Sequence, residues 1–276
     1  MDDWIAPSVV YDLTGYDQKT SWDVSVHFQS IKRYAHVTDI VKKKLKQRAV
    51  EGILGRARDL VGQVSRPERI VSLNQKEFEE RALRGEIDFD STLESGELYF
   101  EAKEPIERKI ALLMDCSMSM KGEKIALLGV AVVAVAMAVS PRSLCLLGFD
   151  SKAKWIKHFS EDLTLSEIAE RILDLPAGGF TNMELGFEEM LRELDQVRAP
   201  DARVILVGDG KYTEGRDPLF LADRFRHLHV LKLGADQGGR ELLKVIAERG
   251  SGRFFEARKF LDLPKTLYET VRTVSR

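Results

Sequence analysis

The sequence predicts an α/β fold: a mostly parallel sheet with helices on both faces, preceded by a largely helical N-terminal region. Three observations predict it. From about Lys109 onward, short apolar runs alternate with longer stretches of helical periodicity, the pattern of strand–helix–strand units. The runs at 111–114 (ALLM) and 204–207 (VILV) are continuously apolar, as strands covered on both sides must be. The composition, 44% hydrophobic and 31% charged over 276 residues, supports a packed core and argues against disorder.

Taken along the chain, residues 37–64 read as a helix, with Val41, Leu45, Ile53, Ala57, Leu60 and Val64 near one face. Asn74 is placed to cap a second helix, with Glu77 three residues on. That helix runs through Leu83 and is ended by Gly85. Beyond it, strands are expected at 109–114, 144–149, 153–156, 204–207, 228–233 and 253–255. Helices are expected between and after them at 123–139, 165–173, 183–196, 218–225, 239–249 and 260–274. The run 125–139 (IALLGVAVVAVAMAV) is apolar on nearly every side. A bilayer span needs ~20 such residues, so this run reads as a buried core helix. The short run around Trp155 reads as an antiparallel edge strand paired with its predecessor. The organisation expected is an N-terminal, mainly helical extension over 1–106, packed on a sheet-containing domain over 107–276.

Charge narrows the function classes. The formal net charge is -2, with an isoelectric point near 6.3. The molecule as a whole therefore has no bulk attraction to nucleic acid or anionic lipid. Locally the balance is uneven. Lys32–Arg69 holds eleven basic and four acidic residues, and Lys76–Glu107 holds four basic and eleven acidic. Lys42–Arg48 (KKKLKQR) could dock an acidic partner or RNA, but no aromatic residues interleave it as a base-stacking surface requires. The two cysteines, Cys116 and Cys145, lie in apolar runs and are expected as reduced, buried thiols of a cytoplasmic protein. The opening MDDWIAPSVVYDL has no basic stretch followed by an apolar one, so no secretory signal is expected.

The chemistry concentrates in 111–124, ALLMDCSMSMKGEK. An apolar strand runs into Asp115, Ser117 and Ser119, and a helix follows from about Glu123. In open α/β sheets, ligands bind outside the carboxyl ends of the strands. Alternate spacing lets the three side chains converge from one loop, and their oxygens suit a hard cation such as Mg²⁺. Two further oxygens fall at equivalent edges. A Gly-rich loop, 175–182 (LPAGGFTN), delivers Thr181 just before a helix. The strand 204–207 ends in Gly208-Asp209-Gly210, and glycines at both places permit tight turns.

Together, Asp115, Ser117, Ser119, Thr181 and Asp209 resemble the metal-ion-dependent adhesion site (MIDAS) of von Willebrand factor A (VWA) domains, whose motif DxSxS is read here as Asp115-Cys116-Ser117-Met118-Ser119. The resemblance covers about 107–276 and implies a Rossmann-like VWA fold. It also implies roles: Ser117 and Ser119 bind the ion through their hydroxyls, Thr181 does so directly or through water, and Asp115 and Asp209 act mostly through waters. Mg²⁺ is the implied ion, with Mn²⁺ as its substitute, and a partner's Asp or Glu carboxylate fills an open position. Cys116 and Met118 replace the small residues usual at the x positions without touching the ligand set.

The residues 86–94 (EIDFDSTLE) are similar to single-domain prokaryotic VWA proteins, including CoxE-like ones, associated with MoxR-type AAA+ ATPases. That implies an intracellular adaptor in metal-cofactor insertion or complex remodelling, neither an enzyme nor a membrane or nucleic-acid protein. Two alternatives stand beside it. One is an RNA-associated protein like the Ro family, using Lys42–Arg48. The other is a Mg²⁺-dependent hydrolase, for which no residue is placed as a general base. Walker A, GxGxxG and GxSxG motifs are missing from the sequence. His158, His227 and His229 are expected to be structural.

Overall fold

The computed structural model describes residues 18–33, 37–62, 68–80, 85–105, 108–117, 120, 122–176 and 178–275. Two helices come first, α1 (Gln18–Arg33) and α2 (Asp39–Gly62). A small unit follows: β1 (Glu68–Asn74), α3 (Gln75–Glu80), β2 (Gly85–Ile87), α4 (Phe89–Ser95) and β3 (Tyr99–Pro105). The larger part runs β4 (Ile110–Asp115), α5 (Glu123–Ala138), β5 (Leu144–Phe149), β6 (Ala153–Lys157), α6 (Leu165–Asp174), α7 (Met183–Gln196), β7 (Arg203–Gly208), α8 (Leu219–Ala222), β8 (Leu228–Leu233), α9 (Arg240–Arg249), β9 (Phe254–Ala257) and α10 (Leu263–Val274).

The main sheet has the order β6-β5-β4-β7-β8-β9. Five strands are parallel, and β6 pairs antiparallel with β5 as the edge hairpin expected around Trp155. Because successive side chains point to opposite faces, β4 feeds two cores. Ile110, Leu112 and Met114 join the core beneath α5, α6 and α10. Ala111 and Leu113 join the core beneath α7, α8 and α9. The fold is the mostly parallel, doubly covered α/β sheet that the sequence predicts.

The all-round apolar character of α5 has a structural cause. Every residue from Ile125 to Val135 is buried. One side of α5 lies on the sheet, and the other is covered by α1 and α2, whose Val24, Phe28, Leu45 and Ile53 belong to the same core. Among the described residues no helix is long and apolar enough to cross a membrane. α1 and α2 hold each other through the Ser25 hydroxyl, which donates to the Ala49 carbonyl (2.7 Å), and through the Arg56 guanidinium over the Trp22 ring (3.7 Å to the centroid).

The region 68–105 departs from the helical expectation. It forms a three-stranded antiparallel sheet, β1-β3-β2. The charges inside ERIVSLN and YFEAKEP hide a strand pattern that cross-strand pairing supports. The helix at Asn74 is present but short: the Asn74 side-chain oxygen accepts from the Glu77 N–H (2.9 Å), and α3 ends at Glu80. The expected extension to Leu83 lies outside the described residues. The expected 218–225 helix is one turn, α8.

Candidate metal centre

Three loops at the carboxyl end of the sheet build the site. β4 ends in Asp115, which is buried, and its Oδ1 accepts from the Ser117 N–H at 2.8 Å. The turn is fastened by the Cys116 N–H donating to Phe149 O (2.8 Å) and by the Met120 N–H donating to Ser117 O (2.9 Å). Ser117 is buried as well.

On one side of β4, its parallel neighbour β7 brings in Asp209, just past Gly208. A Cβ added to Gly208 would lie 3.1 Å from the Asp115 Cβ, so this glycine makes room for the buried carboxylate. Asp209 is half-buried, and its Oδ1 accepts from the Lys211 N–H (3.0 Å).

The third loop carries Thr181, which is also buried. It is tied in from two directions. The Thr181 N–H donates to the Thr213 hydroxyl (3.0 Å) and Thr181 O accepts from the Thr213 N–H (3.0 Å), which fixes it to the segment after β7. The Asn182 N–H donates to Asp150 O (3.1 Å) and the Phe180 N–H to the Ser151 hydroxyl (3.0 Å), which fix it to the exit of β5. Gly179 sits at φ +101 beside Ser151, a conformation that side chains rarely adopt. The expected role of the glycines before Thr181 therefore has a concrete basis at Gly179.

Asp115, Ser117, Thr181 and Asp209 thus gather at one edge on adjoining loops. Ser119 and Met118 lie outside the described residues. Sequence reasoning missed Asp150. It is buried, follows β5 directly, and forms an ion pair with Lys154. Its position after a central strand, in the edge-of-sheet pattern that singled out Asp209, was the available signal.

Burial pushes the Asp115 carboxyl up to about 6, against the hydrogen bonds from Ser117, and the charges of Asp209 and Asp150 push it further the same way. Burial and two neighbouring acids make the Asp115 charge unfavourable alone and favourable beside a cation. The donor chemistry fits a hard divalent ion: carboxylates and hydroxyls, with no thiolate or imidazole. Cys116 lies close by, but burial holds its thiol protonated well above the usual thiol range.

The other groups take structural places. The Glu193 carboxylate is buried, binds His158 Nδ1 (2.8 Å), and accepts from the Phe159 N–H (3.0 Å). His229 Nδ1 accepts from the Arg253 N–H (3.0 Å). Among the described residues no group of three or more His, Cys, Asp or Glu forms a cage for a metal, so the candidate ion depends on the hydroxyls as well as the acids. Cys116 and Cys145 are free and buried. From the basic stretch, Lys46 pairs with Glu170 and Asp174 of α6, and Lys32 also pairs with Asp174.

Comparison with known proteins places the fold. The profile of the von Willebrand factor type A domain matches residues 109–269. No curated protein sequence matches. Proximal thread matrix protein 1 from the mussel byssus is similar in structure: TM-score 0.51, 19% identity, with 60% of this chain and 46% of that one covered. A form of that protein described as having a zinc-occupied MIDAS motif gives a TM-score of 0.50 at 20% identity, covering 59% and 47%. A von Willebrand factor type A protein from Catenulispora acidiphila gives 0.49 at 20% identity, covering 64% and 44%. The chain thus spans less than half the length of these proteins, and identities this low speak to the fold alone.

Proposed function

The chain belongs to the von Willebrand factor type A domain family, and from that premise we propose that it is a metal-dependent protein-binding module. One observation carries the reading: Asp115, Ser117, Thr181 and Asp209 gather on adjoining loops at the carboxyl edge of the sheet, where burial and neighbouring acids make the Asp115 charge unfavourable without a cation. The hydroxyls of Ser117, Ser119 and Thr181 and the carboxylates of Asp115 and Asp209 would hold the ion. Mg²⁺ suits these hard oxygen donors, with Mn²⁺ as the substitute. The mussel protein's zinc-occupied MIDAS motif supports a divalent ion at such a site without deciding which. The bound ion would supply positive charge that attracts an Asp or Glu carboxylate of a partner protein.

The chain's own residues shape that encounter. Phe180 and Tyr212 are 66% and 38% exposed beside Thr181 and Asp209 and offer an apolar rim around the charged centre. The Thr213 hydroxyl and the Asp150 carbonyl keep the Thr181 loop in place before a partner arrives. The role proposed is an intracellular adaptor rather than an enzyme, serving a MoxR-type AAA+ ATPase in metal-cofactor insertion or complex remodelling. That finer part rests on the resemblance of residues 86–94 to CoxE-like proteins.

The test immobilises wild type and Asp115→Ala and passes lysate over each, with Mg²⁺ or with a chelator. Wild type with Mg²⁺ should retain a small protein set that both the substitution and the chelator release, and a MoxR-type ATPase among them would support the adaptor role. Retention of the same proteins in all four conditions would sink the metal-dependent reading. Turnover of a generic phosphoester that disappears with Asp115→Ala would favour the hydrolase alternative.

A further inference from the structure

Helix α4 is held at both ends yet buries nothing of its own. Asp88 caps its start: Oδ1 accepts from the Ser91 N–H (3.1 Å), and Oδ2 accepts from the hydroxyls of Ser91 (2.6 Å) and Ser72 (2.5 Å). Gly96, at φ 73, closes its end through its N–H to Thr92 O. None of the residues of α4 is buried. Phe89 and Leu93, four apart and so on one face, are 70% and 81% exposed. Exposed acids surround them, among them Asp90, Glu94 and Glu97. A short helix made rigid by its caps, with its two large apolar side chains directed into solvent, is a preformed docking element.

A complementary surface lies on the same chain. At the start of α2, Ile40 is 73% exposed, and Lys43, Lys44 and Gln47 continue its face at helical spacing, all exposed. Lys32 and Lys46 are taken up by α6, whereas neither Lys43 nor Lys44 has an ion-pair partner among the described residues. The two patches carry the opposite charges of the stretches 76–107 and 32–69, and both stay exposed within one molecule.

We infer that the acidic, apolar face of α4 docks on the basic face of α2 in a second copy of this chain. Phe89 and Leu93 pack around Ile40, and Glu94 and Glu97 meet Lys43 and Lys44. The contact is head-to-tail, so every copy keeps one free face of each kind, and association continues into a ring or a chain of subunits. The patches are small and charged, so the association is weak and sensitive to salt. This inference is independent of the metal reading.

The experiment is sedimentation velocity on the full chain, in chelator, over concentrations up to about 100 μM. Wild type should associate at about 50 mM salt and weaken at least tenfold by about 500 mM. The pair Lys43→Glu/Lys44→Glu and the pair Glu94→Lys/Glu97→Lys should each be monomeric. None of these four residues caps a helix or enters the core. Mixed one to one, each variant retains one unaltered face that fits the unaltered face of the other. The two charge-reversed faces complement each other as well, so the mixture should associate as wild type does, which also shows that both variants are folded. A monomeric wild type at low salt would leave α4 for a foreign basic partner and overturn the inference. Wild-type-like association by either variant, or no pairing in the mixture, would overturn it equally.

Discussion

Two buried titrating groups pull the stability of this protein in opposite directions as pH falls. His229 is buried, and its Nε2 has no partner among the described residues. Burial first, then the charge of Arg203, lowers it from 6.5 to about 4. A depressed base contributes stability that is complete above pH 6.5 and is lost as pH falls to 4. Asp115 is raised from 3.8 to about 6, so between pH 6 and 4 the fold binds a proton that the unfolded chain does not, and acid stabilises it. Each effect is worth about 3 kcal/mol. In chelator the two should largely cancel in wild type. Asp115→Asn should expose the His229 slope, losing about 3 kcal/mol between pH 6.5 and 4, whereas His229→Gln should gain stability over pH 6 to 4. Urea midpoints at half-unit pH steps measure both, and flat profiles for both variants would refute the assignment. The sequence made Asp115 legible because its motif is local and ordered. It could not show the Asp150 carboxylate pressing on that acid, an effect that arises only when β5 lies beside β4. The pairing of Thr213 with Thr181 was equally hidden, since it joins loops far apart in the chain.

Elements turn such residues into a site by how closely they approach. Gly208 lies where β7 passes the Asp115 side chain, and an added Cβ would lie 3.1 Å from the Asp115 Cβ. Gly208→Ala should therefore move the carboxylate by a few tenths of an ångström. Stability at pH 7 should fall by about 1 kcal/mol, the lower end for overpacking a tight place. Under the proposed function, the rise in melting temperature with added Mg²⁺ should shrink by more than that loss explains. An undiminished Mg²⁺ response would mean that the Asp115 position is not critical. Ile53 marks another close approach, of α2 on α5: it is fully buried, and its Cδ1 lies 3.0 Å from where a Gly129 Cβ would be. Ile53→Ala should destabilise by about 2–5 kcal/mol in urea unfolding, and a smaller loss would mean that α2 is only loosely attached. The strands of the main sheet were readable because each is a short apolar run between helical stretches. β1 and β3 were not, because charged residues break their alternation and their pairing partners lie about thirty residues away.

At the scale of the whole molecule, α5 decides how the N-terminal helices relate to the rest. A helix at the surface of a sheet needs one apolar stripe, yet α5 is buried throughout Ile125–Val135, because α1 and α2 cover the side that would otherwise face water. The same pair reaches the loop that carries Thr181: Gln29 Nε2 donates to Leu175 O (2.8 Å), and Lys32 and Lys46 pair with Asp174. Removing the first 62 residues should therefore do more than shorten the protein. The outer side of α5, around Gly129 where Ile53 lies against it, would be open to solvent as an apolar patch of the kind that drives aggregation. The remaining chain should bind a hydrophobic dye, lose several kcal/mol of stability, and precipitate at concentrations where the full chain stays dispersed. Replacing exposed α5 residues with Lys or Glu in the truncated chain should restore its dispersion, because the fault is the uncovered face rather than a broken sheet. A truncated chain that melts with full cooperativity at the wild-type temperature, and binds no dye, would show instead that the sheet and its remaining helices form a self-sufficient unit on which α1 and α2 are a detachable attachment.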